Sequence, residues 1–506
     1  MSLKYKILNG ICRLAYEPEY RRFTGIGKKP SSPSIGSIQE SIMLDYVRRN
    51  KATEYGQRYH FDEIASYEDF CKNVPLTIYE DYEDYIKDIS NGKIGVLTEE
   101  PVKLFELTSG SSGGKKLIPY TATLKKEFQR GIYPWLADIY KKVTGVSSGT
   151  AYWSITPITT KKSYSPCGIP IGFEEDTEYF GRFIGKLMNS IFAVDSSEVK
   201  FVNNMDEFYL KTAMGMLKGD KLSLISVWNP SLLILICDYI QEHYEELKLD
   251  PELFKDGDFG KVFPSLKLIS CWTDANASKP AEELQQLFPN VPIEPKGILA
   301  TECFVSLPLY GEIGSRLSVY SHFFEFKNTE TGETVTADKL NKGFYELIVT
   351  TGGGFYRYCI GDVIEVLEAD GITPPLVRFI KRAGITSDLF GEKLTDEFVR
   401  NTCDKLGIAN HFCLLTPDGN RYVLYTEAVG ITSEAFDTAL RDSFHYDYCR
   451  SLGQLQCAQV IHIDSNGYDI YSQRLVSAGM RLGDIKPAFL SRLDDWNKWF
   501  NINLRG

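Results

Sequence analysis

Three glycines, four hydroxyls and two lysines stand together in Thr108-Ser109-Gly110-Ser111-Ser112-Gly113-Gly114-Lys115-Lys116. Glycines let backbone N–H groups approach a ligand closely, and a run of such groups forms an anion-binding nest. The hydroxyls of Thr108, Ser109, Ser111 and Ser112 add donors, and Lys115 and Lys116 add positive charge. The chemistry these groups suit is the holding of a polyphosphate. It is not a Walker loop, which needs a glycine where Ser109 stands. On composition alone a solvated Ser/Gly surface loop would read the same way. Its company decides between the two: Thr301-Glu302 after Lys296, Tyr356-Arg357 followed by Gly361-Asp362, and Lys486 before Pro487.

Those residues need elements to hold them. The apolar Leu104, Phe105 and Leu107 end a buried strand that opens into the glycine-rich loop. Beyond the loop, Leu124, Phe128, Ile132, Trp135, Leu136 and Ile139 recur at helical spacing. Leu222–Val227 is strand-like, and Asn229 caps a helix that Pro230 opens. Strand, helix and strand continue through 266–271, 281–288 and 293–299. That alternation predicts an α/β architecture. Strands over 345–350 and 363–367 flank Gly352-Gly353-Gly354.

Near the N-terminus a short helix and a Pro/Ser/Gly-rich loop precede Ser37 and Glu40, whose spacing is that of a capping box. Two short helices are expected around Val74-Pro75-Leu76. The character changes at Lys381-Arg382, which divides the chain into domains 1–381 and 382–506. The second domain is read with strands at 422–427 and 459–463, a turn at Asn466-Gly467, and a terminal helix opened by Pro487.

A chain of 506 residues, 43% hydrophobic and 13% aromatic, can bury large cores. A net charge of −11 argues against broad binding to nucleic acid or anionic membranes. The eleven cysteines form no C-x-x-C pair and the six histidines no H-x-x-x-H, so a structural zinc site or disulfide framework is not expected. No apolar run is long enough to span a bilayer. A cytoplasmic protein, with a monomer as the working expectation, follows from this reading.

The ordered set of motifs resembles the adenylate-forming enzyme superfamily. More narrowly it is similar to the auxin-responsive promoter family, the acyl acid–amido synthetases. The narrower likeness includes Ala52-Thr53-Glu54-Tyr55-Gly56, Val74-Pro75 with Tyr79-Glu80, Val227-Trp228-Asn229-Pro230, Cys271-Trp272-Thr273-Asp274, Ala300-Thr301-Glu302, Tyr356-Arg357-Tyr358 and Gly391-Glu392-Lys393. The resemblance implies a large N-terminal domain of sheets and packed helices with a small, mobile α/β C-terminal domain. It also implies ATP and Mg²⁺ as cofactors, and a carboxylic acid and an amine, such as an amino acid, as small-molecule partners.

By the same resemblance, Thr108 to Gly113 with Lys115 and Lys116 cradle phosphates. Thr301 bonds the α-phosphate, Glu302 holds the metal, and Asp362 takes the ribose hydroxyls. Tyr356, Arg357 and Arg382 lie near the nucleotide, and Lys486 enters as the catalytic cation. Trp135, Val227, Ile298 and Leu299 are candidates for the acyl-pocket wall. Two departures stand out. Lys381-Arg382 replaces the Gly-Arg hinge of many relatives, and Thr273-Asp274-Ala275-Asn276 replaces an expected glycine-rich turn. An acyl-coenzyme A ligase and a non-catalytic binding relative are the rival readings.

Overall fold

A computed structural model of the chain describes residues 3–29, 32–108, 116–154, 163–172, 189–195, 199, 202, 205–274, 277–382, 386–387, 389–390, 392, 394–451, 454–464, 466–480, 482 and 485–500. The expected phosphate-cradling residues Ser109 to Lys115 lie outside the described residues, as do Ala275 and Asn276. Two compact units emerge, one built from Met1–Thr108 and Lys116–Lys381, the other containing Arg382–Gly506.

Three sheets make up the first unit. Strands β1 (Leu104–Thr108) and β2 (Lys116–Tyr120) form a hairpin in which Phe105 faces Pro119, flanked by short β4 (Ser163–Tyr164) and β5 (Pro170–Ile171) in the order β2-β1-β5-β4. A parallel sheet, ordered β3-β6-β7-β8, contains β3 (Thr150–Trp153), β6 (Leu222–Ser226), β7 (Leu268–Cys271) and β8 (Ile293–Pro295). The third sheet has seven strands: β9 (Ser306–Leu307), β10 (Ser315–Leu317), β11 (Phe323–Asn328), β12 (Thr334–Thr336), β13 (Gly343–Thr350), β14 (Tyr358–Glu368) and β15 (Leu376–Arg382). Their spatial order is β12-β11-β13-β14-β15-β10-β9.

Local chemistry explains the helices beside these sheets. Thr121 caps Ala122–Lys142 by accepting from Leu124 N, and the helix buries Leu124, Phe128, Ile132, Trp135, Leu136 and Ile139 as its spacing predicts. Gly131 in this helix lies so close to Phe304 that a β-carbon there would run into the phenyl ring. Asn229 caps Pro230–Glu242, accepting from Ser231 N, and that helix packs with Ser278–Leu287 around a core of Val227, Leu233, Ile236, Ile269, Leu284 and Phe288. A separate, larger core joins the helix Ala122–Lys142 to the seven-stranded sheet through Phe128, Phe304, Phe323 and Phe324.

Several elements differ from their expected bounds. The first helix runs through Leu3–Thr24. The next begins at Ile35 because Ser34, three residues ahead of Ser37, accepts from Ser37 N as the true cap. Strand β8 stops at Pro295, beyond which the chain folds back so that Leu299 bridges Phe304. Strand β14 starts five residues earlier than expected, so Asp362 lies within it.

The second unit carries an antiparallel pair, β16 (Thr386–Ser387) with β17 (Leu394–Thr395), and a sheet of β18 (Cys413–Asp418), β19 (Arg421–Thr426) and β20 (Gln459–His462), with β19 in the centre. Asp437 is its polar hub, accepting from Tyr446 Oη at 2.7 Å, Arg450 Nε at 2.9 Å and Ala458 N at 2.9 Å. Asn466 adopts φ 69° and opens the helix Gly467–Ser477 instead of a hairpin turn. Pro487 opens no helix; the segment is irregular, with a bridge from Leu490 to Leu415, up to the short helix Trp496–Trp499.

Candidate active site

Strand β2, which leaves the glycine-rich loop, is stitched to two distant segments. Leu117 N donates to Tyr79 Oη at 2.7 Å, and the Tyr120 hydroxyl donates to the Thr301 carbonyl. Lys116 lies over the Tyr79 ring at 4.9 Å, with Glu80 3.7 Å from its ammonium. The start of β2 is therefore held to the Tyr79–Glu80 segment and its end to the Thr301 turn.

The turn itself is clamped from behind. Ala300 N and Cys303 O bond at 3.0 Å, Ser321 Oγ donates to Phe304 O at 2.8 Å, and Phe304 N donates to His322 Nε2 at 2.9 Å. With Nε2 accepting, the ring proton sits on Nδ1, 3.0 Å from Glu127 Oε2, a charge contact not aligned as a hydrogen bond. Glu127 also accepts from Tyr46 Oη at 2.7 Å and Gly352 N at 3.0 Å. One buried carboxylate thus ties the Thr301 turn to the triple-glycine loop. Those glycines serve close packing: a β-carbon on Gly353 would sit 2.7 Å from Pro119 O.

Glu302 is 3% exposed, whereas Thr301 and Asp362 are half-buried. Burial pushes the Cys303 thiol well above its usual range, and the carboxylates of Glu302, Asp362 and Glu127 reinforce that rise. The donor set offers hard carboxylate oxygens, which suit Mg²⁺.

Other expected residues fall elsewhere. Tyr356 is fully buried, stacked on Tyr55 at 4.9 Å, and its hydroxyl donates to Leu97 O at 2.8 Å. Arg357, at φ 48°, sends Nε to Glu325 Oε2 at 3.0 Å, Nη2 to Glu325 Oε1 at 2.8 Å and Nη1 to Val74 O at 2.8 Å. Both side chains are thereby directed into the core. Val227 lies in the core under the parallel sheet, at 0% exposure. Ile298 is buried and Leu299 half-buried, both in the core that contains Trp135. Arg382 ends β15, and Lys486 is an exposed residue of the second unit whose carbonyl accepts from Tyr471 Oη at 3.1 Å. In that unit Glu392 binds inward, accepting from Leu389 N and Phe390 N and from the Tyr422 hydroxyl.

Lys296, which opens the Thr301–Glu302 motif in the sequence without a role of its own there, is 7% exposed among three indoles. Its ammonium lies 4.5 Å from the Trp135 ring, 4.6 Å from Trp228 and 5.3 Å from Trp153. The available signal was a lysine directly after a strand of a parallel sheet, two residues past the acidic Glu294.

A large mixed α/β unit with converging strand-end residues, followed by a smaller α/β unit, is the architecture of a multidomain enzyme. Models of the GH3 family match its N-terminal domain to residues 31–251, its central domain to 316–382 and its C-terminal domain to 394–494. These spans cover more than half the chain, which belongs to the GH3 family. Similar relatives include indole-3-acetic acid-amido synthetase GH3.4 of Arabidopsis thaliana, 20% identical over 77% of this chain and 73% of its own length. The putative indole-3-acetic acid-amido synthetase GH3.10 of Oryza sativa subsp. japonica is 23% identical over 81% of this chain and 90% of its own length. Among solved structures, an acyl acid amido synthetase, GH3.15, in complex with 2,4-DB shares the fold with a TM-score of 0.74 at 17% identity, over 92% of this chain and 93% of that one.

Proposed function

We propose that this GH3-family chain is a ligase that uses ATP to adenylate a carboxylic acid and then passes the acyl group to an amine, in the manner of the amido synthetases it matches. The observation that carries the reading is the hydrogen bond from the Tyr120 hydroxyl to the Thr301 carbonyl, which fastens the strand leaving the glycine-rich loop to the Thr301–Glu302 turn.

In this reaction a carboxylate oxygen attacks the α-phosphorus, the bond to the β-phosphate bridge breaks, and pyrophosphate leaves. The amine nitrogen then attacks the acyl carbon, AMP leaves, and the nitrogen loses a proton to solvent. Catalysis of this kind consists of positioning and charge neutralisation. The backbone and hydroxyls of 108–114 with Lys115 and Lys116 hold phosphates, and Asp362 accepts from the ribose hydroxyls. The Thr301 hydroxyl donates to the α-phosphate, its backbone held by Tyr120. Glu302 would hold Mg²⁺, which supplies charge stabilisation to phosphate oxygens when bound. Lys486 supplies the cation that offsets repulsion between carboxylate and α-phosphate.

Pyrophosphate exchange across a panel of carboxylic acids tests this. Lys486→Ala is expected to lower exchange by roughly 10²–10³-fold, as for loss of one preorganised charge, while ATP binding persists. Undiminished exchange in that variant would remove Lys486 from the mechanism. Acyl transfer to coenzyme A with none to amino acids would overturn the amine as acceptor.

A further inference from the structure

The parallel sheet gathers a second polar group at the carboxyl ends of its strands, where open α/β sheets bind ligands. Trp153 ends β3, Ser226 ends β6, Trp228 follows two residues on, and Lys296 follows β8. Trp135 reaches in from the helix Ala122–Lys142.

Hydrogen bonding here is incomplete. An ammonium carries three donors, yet the polar partner of Lys296 Nζ among the described residues is Ser226 Oγ alone, at 2.7 Å. Glu294, 5% exposed, accepts from Trp135 Nε1 at 3.0 Å through Oε2, while its Oε1 and the hydroxyl of Ser270, its neighbour on β7, form no aligned hydrogen bond. A buried donor or acceptor left unfilled carries the cost of its desolvation without a bond to offset it. Such groups are retained where something else fills them.

We propose that this cage of indoles recognises the far end of the substrate acid, and that the acid bears a hydroxyl there, which accepts from Lys296 Nζ and donates to Glu294 Oε1. The inference rests on the adenylation reading above. The chemical class follows from charge. Lysine and glutamate sum to zero whether both are ionised or both neutral, so a second carboxylate would bring an uncompensated charge into a dry site. A hydroxyl donates and accepts without adding charge, and flat indole faces suit an apolar body carrying it. Reach agrees: Lys296 and Thr301 are five residues apart, so at most about 18 Å of chain separates the hydroxyl-binding end from the adenylation turn. Burial draws the lysine down to about 7 and raises the glutamate to about 7, so either ionisation state is within reach near neutrality.

Matched acids, an arylalkanoic acid and a long-chain acid, each with and without a terminal hydroxyl, provide the test in pyrophosphate exchange. Wild-type protein should favour the hydroxylated member of at least one pair by roughly ten-fold or more in kcat/KM, since a site built to bond a hydroxyl rejects its absence strongly. Lys296→Met should cut that ratio below roughly three-fold, and Glu294→Gln should lower it less. Equal use of both members by wild type, or an unaltered ratio in Lys296→Met, overturns the proposal while leaving adenylation intact. Tryptophan fluorescence titration with the same acids reads the site without turnover. A response to the hydroxylated acid alone, lost in Lys296→Met, supports the site even where exchange fails and the adenylation reading falls. An identical response to both members overturns it.

Discussion

The Arg357–Glu325 and Lys296–Glu294 sites, both buried in the first unit, are built in opposite ways. Arg357 meets Glu325 through a planar fork, its Nη1 donates to Val74 O and Cys71 O, and Glu325 accepts from Tyr67 Oη. Lys296 and Glu294 share the same depth but not the same completeness: a single hydroxyl bonds the ammonium and one carboxylate oxygen is left over. A saturated pair holds a fold in one arrangement. An unsaturated pair carries the cost of burial without the hydrogen bonds that offset it, which suits a place where another molecule completes the set.

The largest contrast should appear on deleting one cation at a time. Arg357→Met strands Glu325 in the core and should destabilise the protein by roughly 3–5 kcal/mol in urea unfolding. A loss under about 1 kcal/mol would erase the distinction.

Next comes the response to pH. Burial, ahead of the raising effect of Asp138, lifts Glu294 from 4.5 to about 7, so between those values the folded chain binds more protons and stability falls as pH rises. Burial, ahead of the opposing pull of Glu294 and Cys271, lowers Lys296 from 10.5 to about 7, so above 7 the unfolded chain binds more protons and stability rises with pH. The Cys271 thiol, pushed up to about 12, stays protonated over this range. The pair thus contributes a stability minimum near pH 7. It should flatten in the double variant Lys296→Met/Glu294→Gln and persist in Arg357→Met, whose lost guanidinium, held above its ordinary value, does not titrate in this window. Urea midpoints from pH 5 to 10 compare the three.

The smallest effect is expected from Lys296→Met alone. It removes an ammonium with one conventional acceptor and keeps the apolar stem among the indoles. Stability at pH 7 should therefore change by less than about 1 kcal/mol. A loss matching that of Arg357→Met would make the cage a structural site like the other.

These sites also show what could be read from the sequence. Helix Ala122–Lys142, the alternation through β6, β7 and β8, and the Asn229-Pro230 start were legible because periodicity and caps are local. The motif around Tyr356-Arg357 suggested a nucleotide contact, but its partners Glu325, Val74 and Leu97 are remote in sequence and draw both side chains inward. Lys296 stands in the Thr301 motif, but its surroundings are not legible there for the converse reason: its indoles come from three distant segments, which only the parallel sheet and the helix beside it bring together. The bounds at Ser37 and Pro487 were missed where competing local bonds decided, a neighbouring serine in one case and extended pairing such as Leu490 with Leu415 in the other.

The contact of Gly131 with the Phe304 ring has an evolutionary corollary. Position 131 cannot acquire a larger side chain until 304 shrinks, and a shrunken 304 leaves a void until 131 grows. Lineages altering the helix and the turn must therefore change both together, so these two positions should be inherited as a linked pair.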